Sequence, residues 1–165
     1  QAIGEGLEAQ IAALVIRVEE LEAGGSGGDG WVEAFKTAAT VREDDVIAAD
    51  PHLSVPVEVG TYAVQCYVGV TMEGVEGFQC RLNGPAAEAV SLIYLRQSLD
   101  HEYRPDFVDA VSLLAASGET LVYVTGTITF TAAGDLEFEW AQLTDEPDMH
   151  TSALKGSWLR VKLLA

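Results

Sequence analysis

Alternation of side chains between two faces, clearest in LVYVTGTITF (121–130) and DLEFEWAQL (135–143), constrains this chain more than any other feature. Successive side chains of an extended strand point to opposite faces, so Leu136, Phe138 and Trp140 share one face while Glu137 and Glu139 take the other. Comparable segments fill the chain from Trp31 onward, over 31–41, 54–59, 61–72, 77–82, 89–97, 107–116, 119–131, 135–142 and 157–164. Gly60, Gly74, Gly77, Gly118, Gly134 and Gly156 punctuate them. Eight or nine strands without intervening helices predict an all-β antiparallel sandwich, jelly-roll-like, over residues 31–165. Two stretches, AAEAVSLIYLRQSL (86–99) and DFVDAVSLLAASG (106–118), read equally well as short helices.

The N-terminal segment has a different period. Leu7, Ile11, Leu14, Val18 and Leu21 recur at spacings of four and three, the a/d seam of a coiled coil, with Ile11 and Val18 at a and the leucines at d. Residues 1–23 are therefore expected to form an oligomerising stalk helix, with those five residues as its contact seam. Gly4 occupies the preceding a position and should fray the seam above Leu7. β-branched a residues with leucine at d favour two strands, whereas the extra apolar Val15 and Ile16 widen the stripe in a way that suits three. Residues 24–30, within AGGSGGDG, form a flexible linker that suits a stalk changing symmetry into a head. A single amphipathic helix folded onto its own domain is the competing reading.

Charge narrows the choice of partner. With 26 acidic against 9 basic residues, a formal charge of −17 and a pI near 4.2, the surface field repels phosphate backbones and anionic lipid. Nucleic acid and membrane are not expected partners. Arg17, Glu19 and Glu20 interrupt the most apolar stretch, which stays short of the ~18 residues of a membrane helix. The N-terminus also lacks the basic n-region of a secretory signal. Cys66 and Cys80 lie in strand-like segments, and a hairpin turning near residues 73–76 would bring them opposite each other. Buried free thiols are nonetheless the expected state, since two cysteines in 165 residues do not make a disulfide scaffold.

No pattern nominates a catalytic residue. Gly25, Gly27 and Gly30 match G-x-G-x-x-G, but they follow a helix instead of a strand and open no helix. G-x-S-x-G, G-x-x-x-x-G-K-S/T and H-E-x-x-H are absent. His52, His101 and His150 lack a local partner at metal-ligand spacing, so no metal or cofactor is expected. Glu43, Asp44, Asp45 and Asp50, like Asp145, Glu146 and Asp148, crowd loops without the ordered spacing of a calcium site and read as solvated acidic loops. Trp31, Tyr94, Tyr103, Trp140 and Trp158 would make a sugar-stacking platform if exposed together, but alternation assigns such residues to the core. HEYRPDF (101–107) mixes aromatic, basic and acidic residues around Pro105 and is the candidate recognition loop, with His101, Tyr103 and Arg104 as its contacting residues.

KTAATVREDDVIAADPHLSVPVEVGTY (Lys36 to Tyr62) and GDLEFEWAQLTDEPDMHTSALKGSWLRVKLL (Gly134 to Leu164) resemble the β-sandwich head domain at the C-terminal end of tail, fibre and head-decoration proteins of actinobacterial phages and prophages. DPHLSVPVEVGTY, GDLEFEWAQ and T-x-x-L-x-G-S-W-L-R carry the likeness, which covers the two ends of the head and not Cys66 to Thr120. The resemblance implies a non-enzymatic virion structural role, as a homotrimer assembled in the bacterial host cytoplasm beside other virion proteins and contacting a host surface glycan. The alternative from a different class is a glycan-binding β-sandwich module of a cell-surface or secreted protein. An enzyme assembled between subunits is the weakest reading, because a sandwich of this size offers little room for a cleft.

Overall fold

A computed structural model describes residues 30–73, 77–96, 101–104, 107, 111–113 and 118–165 of the chain. Stalk residues Leu7, Ile11, Leu14, Val18 and Leu21, and the linker up to Asp29, lie outside the described residues. The described part is all β: β1 (Trp31–Phe35), β2 (Thr40–Arg42), β3 (Ala48–Val57), β4 (Gly60–Met72), β5 (Phe78–Asn83), β6 (Ala87–Arg96), β7 (His101–Arg104), β8 (Val111–Leu113), β9 (Gly118–Phe130), β10 (Gly134–Gln142), β11 (Thr151–Ala153) and β12 (Trp158–Leu163).

These strands form two antiparallel sheets. The larger runs β1-β12-β4-β9-β6-β7, with β11 pairing both β4 and β2, and the smaller runs β3-β10-β5-β8. The expected antiparallel sandwich is what the chain forms. Its core follows from alternation. Tyr62, Val64, Cys66, Val68, Val70 and Met72 point inward from β4, and Val122, Val124, Ile128 and Phe130 do so from β9. They meet Leu53, Val55 and Val57 of β3, Phe78, Cys80 and Leu82 of β5, and Leu136, Phe138 and Trp140 of β10. Phe78 stacks between Phe138 and Trp140, with ring centroids 6.4 and 5.5 Å away. The buried hydroxyl of Tyr94 on β6 accepts the Leu82 N–H of β5 at 2.8 Å, a polar tie between the sheets.

Several local expectations are corrected. AAEAVSLIYLRQSL and DFVDAVSLLAASG supply strands β6 and β8 instead of helices. The single strand expected over 31–41 is two, broken after Phe35. DPHL carries a proline, Pro51, in a stretch that is nonetheless extended. It lies inside β3, where the register against β10 shifts between Glu137 and Glu139, and a proline is tolerated because β3 is an edge strand at an irregularity. β4 and β5 do not pair as a hairpin, nor do β3 and β4. The chain crosses between sheets at both connections, so Cys66 and Cys80 come from opposite layers. Neither cysteine is in a disulfide and both are buried, and burial, followed by Cys80 and Asp50, pushes the Cys66 thiol well up from its ordinary range.

Candidate functional site: the outer face of the larger sheet

The two outer faces of a sandwich are a built-in comparison, because each is free to be polar. On the smaller sheet, Gln79, Arg81 and Asn83 of β5 lie beside Glu137 and Glu139 of β10. Arg81 Nε donates to Glu139 Oε2 at 2.5 Å and Asn83 Nδ2 to Glu139 Oε1 at 3.2 Å. This face is polar, although Glu139 keeps only 9% of its exposure and Ala141 none.

The larger sheet differs. Its cross-strand registers place Phe35, Trp158, Tyr67, Tyr123 and Leu95 side by side in one row across β1, β12, β4, β9 and β6. At ~4.8 Å per strand the row is about 20 Å long. Tyr67 and Trp158 stack at 5.9 Å and 16°, and Tyr123 meets Trp158 edge-on at 6.5 Å. Each such pair contributes about 0.5–1.5 kcal/mol beyond its area.

The adjacent row is Glu33, Arg160, Gln65, Thr125 and Ile93. Arg160 donates Nε to Gln65 Oε1 at 2.7 Å and pairs with Glu33 Oε1 at 3.4 Å. Its guanidinium also lies over the rings of Trp31 and Trp158, 4.4 and 4.9 Å from their centroids. The Glu33 side chain keeps only 2% of its exposure and that of Arg160 18%, so this ion pair is shielded from solvent. The margin stays open, with Ile93, Leu95 and Leu121 at 39%, 36% and 36% exposure. Outward from β4 and β9, Tyr67, Tyr123 and Leu121 stand among Thr61, Gln65, Thr125, Thr127 and Thr129, so this face is mixed, with an aromatic stripe crossing it.

Of the aromatics singled out from sequence, Trp140 and Tyr94 are core residues as expected, whereas Trp31 and Trp158 belong to this outer face. The expected recognition loop is not a loop over His101 to Arg104. Its backbone there forms β7, which pairs with β6 at one end of the larger sheet and places His101 in register with Leu95 and Tyr103 with Ile93. The side chains of His101, Tyr103 and Arg104 lie outside the described residues, as does Pro105. Among the described residues no group of three or more His, Cys, Asp or Glu side chains is placed to hold a metal, and no helix is long and apolar enough to cross a membrane.

Asp50 is also corrected. It is not part of a solvated loop but buried, 2% exposed, against Lys36 and Trp140. Glu43 does remain at the surface, where His150 Nε2 approaches it at 2.7 Å while His150 Nδ1 approaches Glu73 at 2.9 Å. These hydrogen bonds, Glu73 first and Glu43 second, raise the His150 imidazole above 6.5, and the His150 contact lowers the Glu73 carboxyl below 4.5. A raised histidine stabilises fully below its unfolded value and loses that contribution as pH climbs through the folded one; a lowered carboxylate stabilises above its unfolded value and loses it as pH falls through the folded one. The clamp between the β2–β3 loop, the end of β4 and the β10–β11 loop is therefore complete between about pH 4.5 and 6.5. Thermal midpoints of wild type and His150→Ala, measured across pH, should differ most inside that window and converge on both sides. A constant difference would show that the ion pairs are not its source.

No protein-family model matches the sequence, and no curated protein matches it. Solved structures are similar in fold. Eiger TNF from S. frugiperda aligns over 82% of this chain and 94% of its own, at 11% identity and a TM-score of 0.48. Murine APRIL aligns over 81% and 98%, at 12% identity and a TM-score of 0.43. The CBM22-1–GH10 modules of Clostridium thermocellum xylanase 10B, complexed with xylohexaose, align over 83% of this chain and 26% of theirs, at 11% identity and a TM-score of 0.39.

Proposed function

We propose that this chain is a non-enzymatic phage or prophage virion protein, a homotrimeric fibre or spike whose β-sandwich heads meet through the outer face of the larger sheet. The observation that carries the reading is the contrast between the two outer faces, one polar and one bearing the Phe35–Trp158–Tyr67–Tyr123–Leu95 row. A second copy of the chain is the occupant that fits. The 29 residues before Gly30 enter the head at β1, the strand that contributes Trp31, Glu33 and Phe35 to this face, so a stalk that gathers copies delivers this face first. A linker of a few glycine-rich residues holds tethered heads at millimolar effective concentration, enough for a modest face-to-face affinity to be satisfied. Trp158 is already engaged by Tyr67, Tyr123 and Arg160, which favours a packed protein face over an open sugar platform. Contact with a host surface would then be made by what the assembled heads leave exposed, with three copies multiplying weak binding.

Native mass of the intact chain and of a chain beginning at Trp31 tests this. Trimers are expected for both. Ile93→Arg, at the exposed margin of the face, should leave the fold intact and weaken head association at least about 30-fold, the effect of one well-buried contact of ~2 kcal/mol. An intact chain that stays monomeric at tens of micromolar overturns the trimer.

A further inference from the structure

One buried nucleophile has no part in that face. Lys36 follows β1, its N–H and C=O bonded to Ser157 and Gly156 at 2.8 and 2.9 Å, and Asp50 lies in β3 of the other sheet. Both side chains are fully shielded from solvent. Lys36 Nζ sits 2.9 and 2.8 Å from the two Asp50 oxygens, and it also meets Thr40 Oγ1 and, at 3.2 Å, His52 Nδ1. The carboxylate is held on both oxygens. Oδ2 accepts the Trp140 indole N–H at 3.0 Å, and Oδ1 accepts the His52 backbone N–H at 3.0 Å. The His52 ring lies 3.7 Å from Oδ1 and keeps 31% of its exposure, so it bridges the buried pair and solvent.

We propose that Lys36 and Asp50 become joined by an amide bond that this site makes without another enzyme. Proton transfer across the contact converts ammonium and carboxylate into amine and carboxylic acid, the pair that can condense. The Nζ lone pair then attacks Asp50 Cγ. The negative charge that develops on Oδ2 is met by the Trp140 indole N–H, which is already in place. His52 takes the second proton from nitrogen and hands it to Oδ1, the Cγ–Oδ1 bond breaks, and one water leaves along the exposed edge of the imidazole. Ammonium plus carboxylate gives amide plus water, with charge conserved and no oxidant or activating group required. Fixing the reactants at ~3 Å supplies the high effective molarity that an unactivated condensation needs. The product is a covalent tie between the two sheets, beside the strand that receives the N-terminal segment.

The test is the intact mass of the full chain, unfolded before measurement, followed by tryptic mapping. A mass one water below the sequence value is expected. Dehydration at Asp29–Gly30 would give the same loss, and cyclisation of Gln1 would lose ammonia instead, so the map decides. Trypsin cuts after Arg42, between the two residues; the amide leaves the peptide ending at Arg42 joined to the one beginning at Glu43, with no cleavage after Lys36. Lys36→Arg should keep the full mass. His52→Ala should slow appearance of the branched peptide at least about 100-fold, the usual contribution of a positioned acid–base group. Recovery of a linear Glu43–Arg81 peptide and a free peptide ending at Lys36 from aged wild-type protein overturns the proposal. An unchanged rate in His52→Ala overturns the relay.

Discussion

Gly126→Ala is expected to cost the protein its fold, a loss of more than about 4 kcal/mol, in the range reserved for defects the structure cannot relax around. Gly126 lies in β9, flanked by β4 and β6, with φ of 157°. A Cβ there would stand 1.9 Å from the Ser91 carbonyl oxygen, 2.9 Å from Ser91 C and 3.0 Å from Leu92 Cα. All three are backbone atoms of the paired strand, so no rotamer change relieves the clash. Relief requires separating β6 from β9, which strips the ladder from Ala87 to Arg96 and withdraws Leu92 and Tyr94 from the core. Gly156→Ala is the control. Its φ of 93° strains any other residue, but nothing lies within 4 Å of its Cβ, so about 1–2 kcal/mol is expected. Denaturant unfolding of the two variants checks both, and a Gly126→Ala midpoint close to that of Gly156→Ala would mean that the strands yield more easily than a paired ladder should.

Glycine in TGTIT illustrates where sequence reading stops. Alternation around it fixed Val122, Val124 and Ile128 as inward residues, because period two is a property of the strand alone. The carbonyl of Ser91 lies 35 positions earlier, and no local signal announces it. β6 was ambiguous for a related reason. Leu92 and Tyr94 face the core while Ile93 and Leu95 sit at the margin of the outer face, so SLIYL is apolar on both sides and its period disappears. The outer row is legible in the sequence: Tyr67 and Tyr123 amid inward residues, and Trp158 alternating with Leu159 and Val161, are aromatic residues at positions a solvated face would make polar. Allocation of strands to sheets stayed hidden, since β3–β4 and β4–β5 look like hairpins until both faces of the core need filling.

Asp50→Ala carries the second large effect, an expected loss of about 3–5 kcal/mol, because it breaks a buried pair by removing one partner. The acidic run in which Asp50 sits suggests a solvated group, and a solvated aspartate would cost nearly nothing to remove. Instead one carboxylate satisfies three donors, the Lys36 ammonium, the Trp140 indole N–H and the His52 backbone N–H. Truncation strands a cation and an indole among apolar neighbours, and the cation cannot reach water without unpicking the junction of β1 with Ser157 and Gly156. Asp50→Asn should fall between, since its carbonyl keeps one acceptor while its amide turns N–H groups toward donors. The ordering wild type, Asn, Ala in unfolding midpoint follows from donor satisfaction alone and holds whether the Lys36 contact is ionic or an amide. Lys36→Arg separates those two cases: arginine keeps a cation on the carboxylate but cannot form the amide, so a small loss relative to wild type marks an ion pair and a large one marks a covalent tie between the sheets.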